Sequence, residues 1–191
     1  VVPGRLAAPG WAHWQRGRVV SAAGPEVPLG GGPLGPGLEG RHAFTDALHA
    51  AMTQLPSQGA RELWMIDADF EGWPLDAPAV LESLSHWLRG GGRQVRMLSL
   101  DFDAVARWHP RFASWRRDRS HAFQAWHPSP GERVDMPSWW LAGDVGLELL
   151  DREQWRGRWL GGRQVLREKV DQAEALLHRC EPAWPSTTLG L

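Results

Sequence analysis

From Phe44 to Leu55 the apolar residues Phe44, Leu48, Ala51, Met52 and Leu55 recur at steps of three and four. That spacing predicts an amphipathic helix. "ELWMIDADF" (62–70) is a short apolar run that ends in acids and predicts a strand. Val80, Leu81, Leu84, Trp87 and Leu88 then form one helical face. Asp76 is placed to cap that helix, Pro78 suits its first turn, and Gly90 to Gly92 end it. "QVRMLSLDF" (94–102) predicts a second strand. "DAVARWHPRFASWRRDR" (103–119) reads as helix broken near Pro110, because proline cannot donate a backbone hydrogen bond. "HAFQAW" (121–126) predicts a third strand. In "MPSWWLAGDVGLELLDREQW" (136–155) a Gly-Asp turn joins two further strands, and the first carries Trp139 and Trp140 side by side. Val165, Leu166, Val170, Ala173, Leu176 and Leu177 share a face of a long helix over 162–180. Strands that alternate with helices and are apolar on both faces predict an α/β fold: a layered mixed β-sheet covered by helices.

The flanks read differently. Residues 24–40, "GPEVPLGGGPLGPGLEG", hold seven Gly and four Pro and predict a surface loop or linker. Before them, "GRVVSAAG" (17–24) suits one short strand. The expected organisation is a peripheral segment 1–40, a domain 41–181 and a tail 182–191. A chain of 191 residues fits one such domain.

Composition narrows the function classes. Hydrophobic residues make up 42% and charged residues 23%, which favours a folded core over disorder. The net charge of −1 gives no electrostatic case for nucleic acid or a membrane surface. No run approaches the roughly 18 apolar residues of a spanning helix, and the start lacks the apolar stretch of a signal peptide. Cys180 is the only cysteine, which excludes an internal disulfide and any CxxC zinc site. That usage suits a reducing compartment, so a cytoplasmic location is expected. Trp occurs 13 times and Tyr never, and Lys169 is the only lysine. A GC-rich coding bias is the simpler reading of both features. A demand for stacking and phosphate forks is the functional reading of the same counts.

Candidate chemistry lies first in the acids at strand ends: Asp67 and Asp69, Asp101 and Asp103, and Asp144 in the hairpin turn. Open α/β sheets bind ligands beyond the carboxyl ends of their strands, and carboxylates at i and i+2 can hold Mg²⁺. The simpler role for such acids is to cap turns and helices. Lys169 falls in the apolar arc of its helix, where a lysine has either a functional partner or a packed stem with its head in water. His42, Asp46 and His49 share the solvated side of the first helix. His109 precedes Pro110 at the helix break and suits a turn position. Arg111, Arg116, Arg117 and Arg119 read as the exposed side of a helix whose core stripe is Trp108, Phe112 and Trp115. No GxGxxG, Walker A, GxSxG or HExxH motif occurs.

The order of elements from Arg41 to Cys180 resembles one half of the phospholipase D-like fold. In active members the first arm of the hairpin carries HxKxxxxD, with the His as nucleophile. Aligning Asp144 with the Asp of that motif puts Pro137 at the His position and Trp139 at the Lys position. The chain is most similar to bacterial phospholipase D-like domains that lack the catalytic pair. The resemblance implies a vestigial pocket around Pro137, Trp139, Asp144 and His109, and no covalent chemistry, since no activated nucleophile is left. The expected role is a non-catalytic binding or scaffolding module, without cofactor, whose partner is another protein or a second copy.

An alternative is a Mg²⁺-dependent phosphatase or phosphotransferase of the haloacid dehalogenase type, which "WMIDADF" resembles. That resemblance makes Asp67 the nucleophile and Asp69 the acid/base. Ser99 would take the phosphate, Asp144 would complete the metal set with Asp67 and Asp69, and Lys169 would supply positive charge. It departs at "FEGW" after Asp69 and in having Lys169 after Asp144. It requires Asp67, Asp69 and Asp144 to converge, with Lys169 beside Asp67.

Overall fold

The computed structural model describes residues 34–185. Among these residues eight strands form one sheet: β1 (Leu34–Glu39), β2 (Glu62–Ile66), β3 (Gln94–Leu98), β4 (Phe123–Pro128), β5 (Ser138–Ala142), β6 (Val145–Asp151), β7 (Arg156–Leu160) and β8 (Cys180–Pro182). Among the described residues five α-helices accompany them: α1 (Arg41–Thr53), α2 (Pro78–Leu88), α3 (Phe102–Trp108), α4 (Pro110–Arg117) and α5 (Arg163–Leu177). The strand order is β1-β7-β6-β5-β2-β3-β4-β8. β2, β3 and β4 are parallel, and every other pairing is antiparallel. The mixed α/β architecture is the one the hydrophobic pattern predicts.

The sheet separates two apolar layers. α1 to α4 pack on one face through Phe44, Leu48, Leu84, Trp87, Val105 and Phe112. α5 packs on the other through Leu166 and Ala173, against Trp64, Ile66, Leu98 and Trp139. Alternation along β2 sends Leu63 and Met65 to the four-helix face and Trp64 and Ile66 to the α5 face. The same rule separates the adjacent tryptophans of β5. Trp139 lies beneath α5 with its ring 6.4 Å from that of Trp64, and Trp140 is buried in the opposite layer.

Several boundaries differ from expectation. Leu34–Glu39 is not linker: it pairs antiparallel with β7 and becomes an edge strand. A Gly/Pro-rich strand is tolerated at an edge, where few ladder bonds are required. Residues 1–33, including the short strand expected at 17–24, lie outside the described residues. β7 is a strand that "RGRWL" did not announce, because Arg156 and Arg158 break its apolar run. The segment after Cys180 is not a free tail through Pro185, since β8 pairs with β4. Asp76 does not cap α2. Its carboxylate accepts from the backbone N–H groups of Arg111 and Phe112, at the start of α4. Asp101 does cap α3, accepting from Ala104 N–H at 2.8 Å. The break at Pro110 stands as predicted, but the faces around it do not. Trp108 is 56% exposed, whereas Arg116 is buried. The Arg116 guanidinium stacks 4.2 Å from the Trp184 ring, and burial, with Arg117 adding its charge, pulls it below its ordinary pKa.

Gly157 in β7 packs directly against Phe44 of α1. A Cβ there would sit 2.7 Å from the Phe44 ring and 2.9 Å from the Glu148 carbonyl oxygen. Backbone on one side leaves little room for relaxation. Gly157→Ala is expected to lower unfolding stability by about 1–3 kcal/mol, read as a fall in urea midpoint at unchanged slope.

Candidate functional site

The carboxyl ends of β2, β3 and β4 open onto one end of the sheet. The start of β5 and the β6–β7 turn reach the same end, because those strands run in the appropriate antiparallel sense. Asp67 follows β2 there, and its side chain is only 1% exposed. One carboxylate oxygen accepts from Asp69 N–H at 3.1 Å, from Phe70 N–H at 2.8 Å and from the Arg152 guanidinium. The other accepts from Trp73 Nε1–H at 3.2 Å and from the Ser138 hydroxyl. A carboxylate offers about four lone-pair sites, so these donors use its whole acceptor capacity.

Arg152 stands in the β6–β7 turn and also donates to Asp69 at 2.8 Å. Burial pushes the Asp69 carboxyl up, but the Glu71 N–H and Arg152 outweigh burial and hold it below the usual 3.8. Burial likewise works against the Arg152 cation, while the Asp67 charge and hydrogen bonds to both acids raise it overall. The ion pair therefore joins three segments distant in sequence: the loop after β2, the start of β5 through Ser138, and the turn after β6. Two residues beside it hold left-handed backbone, Phe70 at φ 60° and Trp155 at φ 52°. Such strain persists only where the surroundings over-determine it. His109 adds one more tie: its Nε2 lies 2.9 Å from the Phe70 carbonyl oxygen.

The structure disperses the residues grouped as a vestigial pocket. His109 is buried at the four-helix face, and Trp139 is buried beneath α5. Pro137 is exposed at the start of β5. Asp144 is exposed at the hairpin tip. Because Ile66 pairs with Trp139 and Leu63 with Ala142, that tip lies at the amino end of β2, away from Asp67.

The acidic metal site does not assemble either. Asp67 and Asp69 are together, but Asp144 is at the other end of the sheet and cannot share a cation with them. The Ser99 hydroxyl donates to the Ala68 carbonyl at 2.9 Å, so it is committed to the backbone. Lys169 lies across the sheet, on α5, paired with Glu148, which also accepts two hydrogen bonds from Arg158. Its head is therefore not in water, as a packed-stem lysine would have it, and not beside Asp67, as a phosphatase would need. These residues do not fit Mg²⁺ as a set. Among the described residues no three His, Cys, Asp or Glu side chains are grouped to hold a metal.

Arg152 and Ser138 are the members that sequence reasoning missed. The signal available was the charge run "DREQW" directly after an apolar strand, which reads as an ordinary solvated turn. Nothing local states that Arg152 folds back on a carboxylate 85 residues earlier.

Residues 45–187 match a family model described as Domain of unknown function (DUF7931). No curated protein matches the sequence significantly. Among solved structures the chain is similar to TrmBL2, an archaeal chromatin protein with a novel mode of DNA binding. Identity there is 11% and the TM-score 0.56, over 84% of this chain and 57% of that one. It is also similar to phosphatidylserine synthase from Haemophilus influenzae Rd KW20, at 15% identity and TM-score 0.50, over 81% of this chain and 41% of that one. The chain thus spans about half the length of these structures. At such identities the likeness shows the fold alone. No helix among the described residues is long and apolar enough to cross a membrane.

Removing the Asp67 charge has a defined expectation. In Asp67→Asn the new amide must point a donor at donors on one side or the other. The variant is expected to lose about 3 kcal/mol or more of unfolding stability. Asp69, with its lowered pKa, contributes stability that is complete above the unfolded carboxylate pKa and is lost as pH falls through the folded value. Urea unfolding at about pH 6 and about pH 3 should show that loss, and Arg152→Gln should make it shallower. By the family model covering residues 45–187, the chain belongs to the DUF7931 family.

Proposed function

We propose that this chain is a non-catalytic phospholipase D-like module that binds or scaffolds another protein. The observation that carries the reading is the saturated Asp67 carboxylate. Its two oxygens take donors from Asp69, Phe70, Trp73, Ser138 and Arg152, which leaves no lone pair to attack phosphorus or to ligate a metal. The end of the sheet where an α/β enzyme would place its chemistry is filled by an internal ion pair. The positions aligned with the phospholipase D His and Lys support the reading, because Pro137 offers no nucleophile and the Trp139 ring is packed under α5. The net charge of −1 favours a protein partner over nucleic acid, and the likeness to a chromatin protein extends to fold only.

The test is hydrolysis of bis-p-nitrophenyl phosphate and p-nitrophenyl phosphate, with and without Mg²⁺, by the purified full chain. No turnover above buffer is expected, and no saturable thermal shift with Mg²⁺. Mg²⁺-dependent turnover that disappears in Asp69→Asn would overturn the proposal.

A further inference from the structure

The chain from Cys180 to Pro185 crosses its own β4 as a strap. β8 pairs antiparallel with β4, and His127 faces Glu181. Ala183 N–H donates to the Ala125 carbonyl at 2.8 Å, and Ser129 N–H donates to the Arg179 carbonyl at 2.9 Å. Hydrogen-bonded pairs alternate along an antiparallel ladder, so His127 and Glu181, midway between those two contacts, are the next such pair. Pro128 and Pro182 occupy the alternate positions, where no ladder bond is required. The backbone hold on the strap is therefore centred on His127 and Glu181. Beyond it the Trp184 ring stacks 4.9 Å from that of Phe102, and 6.2 Å from those of Phe112 and Phe123. Arg116 closes this aromatic slot and donates to the Pro185 carbonyl at 3.2 Å.

The His127 ring meets an acceptor at each nitrogen. Nδ1 lies 2.7 Å from the Pro128 carbonyl oxygen, and Nε2 lies 3.2 Å from Glu181 Oε1. A carbonyl and an ionised carboxylate only accept. A neutral imidazole has one N–H and one lone pair, so it satisfies one of these oxygens and turns its lone pair on the other. The imidazolium donates to both and carries the charge that pairs with Glu181. Glu181 is the only acid within ion-pair distance of His127 among the described residues. The charged groups of the surrounding elements are engaged elsewhere or stand apart. On α3 Asp101 caps Ala104 and lies 3.7 Å from Arg107, and Asp103 makes no ion pair with the ring. After β4, Glu132 pairs with Arg179. On α4, Arg116 is held by Trp184 and Pro185. Ser99, beyond the end of β3, has no charge. The Cys180 thiol donates to the Leu176 carbonyl, and burial pushes its pKa above the usual 9.0, so it stays neutral where histidines titrate. His178, exposed at the end of α5, is the other histidine beside the strap.

We infer that His127 is a proton-operated latch on the C-terminal strap: its imidazolium bridges β4 to Glu181 of β8 and keeps Trp184 seated, and loss of the proton loosens the strap over the aromatic slot. A tie that needs the protonated ring is complete at low pH and is lost as pH rises through the titration of that ring. The His127 and Glu181 side chains are 37% and 46% exposed, so the latch changes the strap's opening by a small factor and leaves the sheet intact. It does not involve the Asp67 cluster and is independent of whether the module is catalytic.

Amide hydrogen exchange of the full chain, followed by NMR and corrected for intrinsic rates, reads the strap directly. Measurements at about pH 5.5 and about pH 7.5 bracket the reference imidazole pKa of about 6.5. Protection of the Glu181 and Ala183 N–H groups is expected to fall about two- to fivefold at the higher pH. The Met65 and Met97 N–H groups, on β2 and β3 at the centre of the sheet, are expected to keep theirs. In His127→Gln and in Glu181→Gln the strap should already be poorly protected at the lower pH, with no difference between the two conditions. Each variant alters one half-exposed side chain, and either one suffices where the other folds poorly. Equal strap protection at both pH values in the wild type would overturn the inference. So would a pH difference that persists in either variant, which would assign it to His178 or another group. A fall shared equally by the strap and the sheet centre would overturn it too, because that is global opening and not release of a latch.

Discussion

The Asp67–Arg152 ion pair is the constraint around which the carboxyl end of the sheet is arranged. A buried carboxylate is costly unless its oxygens are satisfied, and a buried pair is stabilising only when the geometry is complete. Here the completion comes from Asp69 and Phe70 in its own loop, from Trp73 after it, from Ser138 on β5 and from Arg152 beyond β6. Those donors fix where the neighbouring strands end relative to one another. They also hold the left-handed backbone of Phe70, whose carbonyl is met by His109. The same geometry commits both Asp67 oxygens to donors within the chain.

A second ionic cluster does related work on the opposite face. Glu148 on β6 accepts from Arg158 on β7 and from Lys169 on α5, and so fixes the helix against two strands. The two charged centres lie on opposite sides of the sheet, each joining elements that apolar packing alone would leave free to slide. Satisfied polar networks of this kind specify one arrangement among several of similar apolar burial. The only lysine is explained by that contact without recourse to catalysis.

The layered fold was legible because it rests on local periodicity. Phe44, Leu48 and Met52 state the face of α1, and the apolar run Leu63 to Ile66 states a strand covered on both sides. Pro110 states a break, and the break is there. Legibility failed where structure is decided by distant partners. "RGRWL" reads as too charged for a strand until Glu148 and Asp151 are placed opposite its arginines. "LGPGLE" reads as loop until β7 offers it an edge. Arg116 reads as a surface residue until Trp184 arrives from 68 positions later. At the candidate site Asp67 and Asp69 were identifiable as acids at a strand end. Their role was not, because Arg152 and Ser138 are joined to them only by the fold.

The account stands or falls on whether Asp67 and Arg152 act as one structural unit. The most direct measurement is a double-mutant cycle, with urea unfolding of the wild type, Asp67→Asn, Arg152→Gln and the double variant. A structural tie predicts a coupling energy of about 1–3 kcal/mol, the double variant losing much less than the sum of the singles. Additive losses, with coupling near zero, would mean that the two residues act independently and would contradict the central claim.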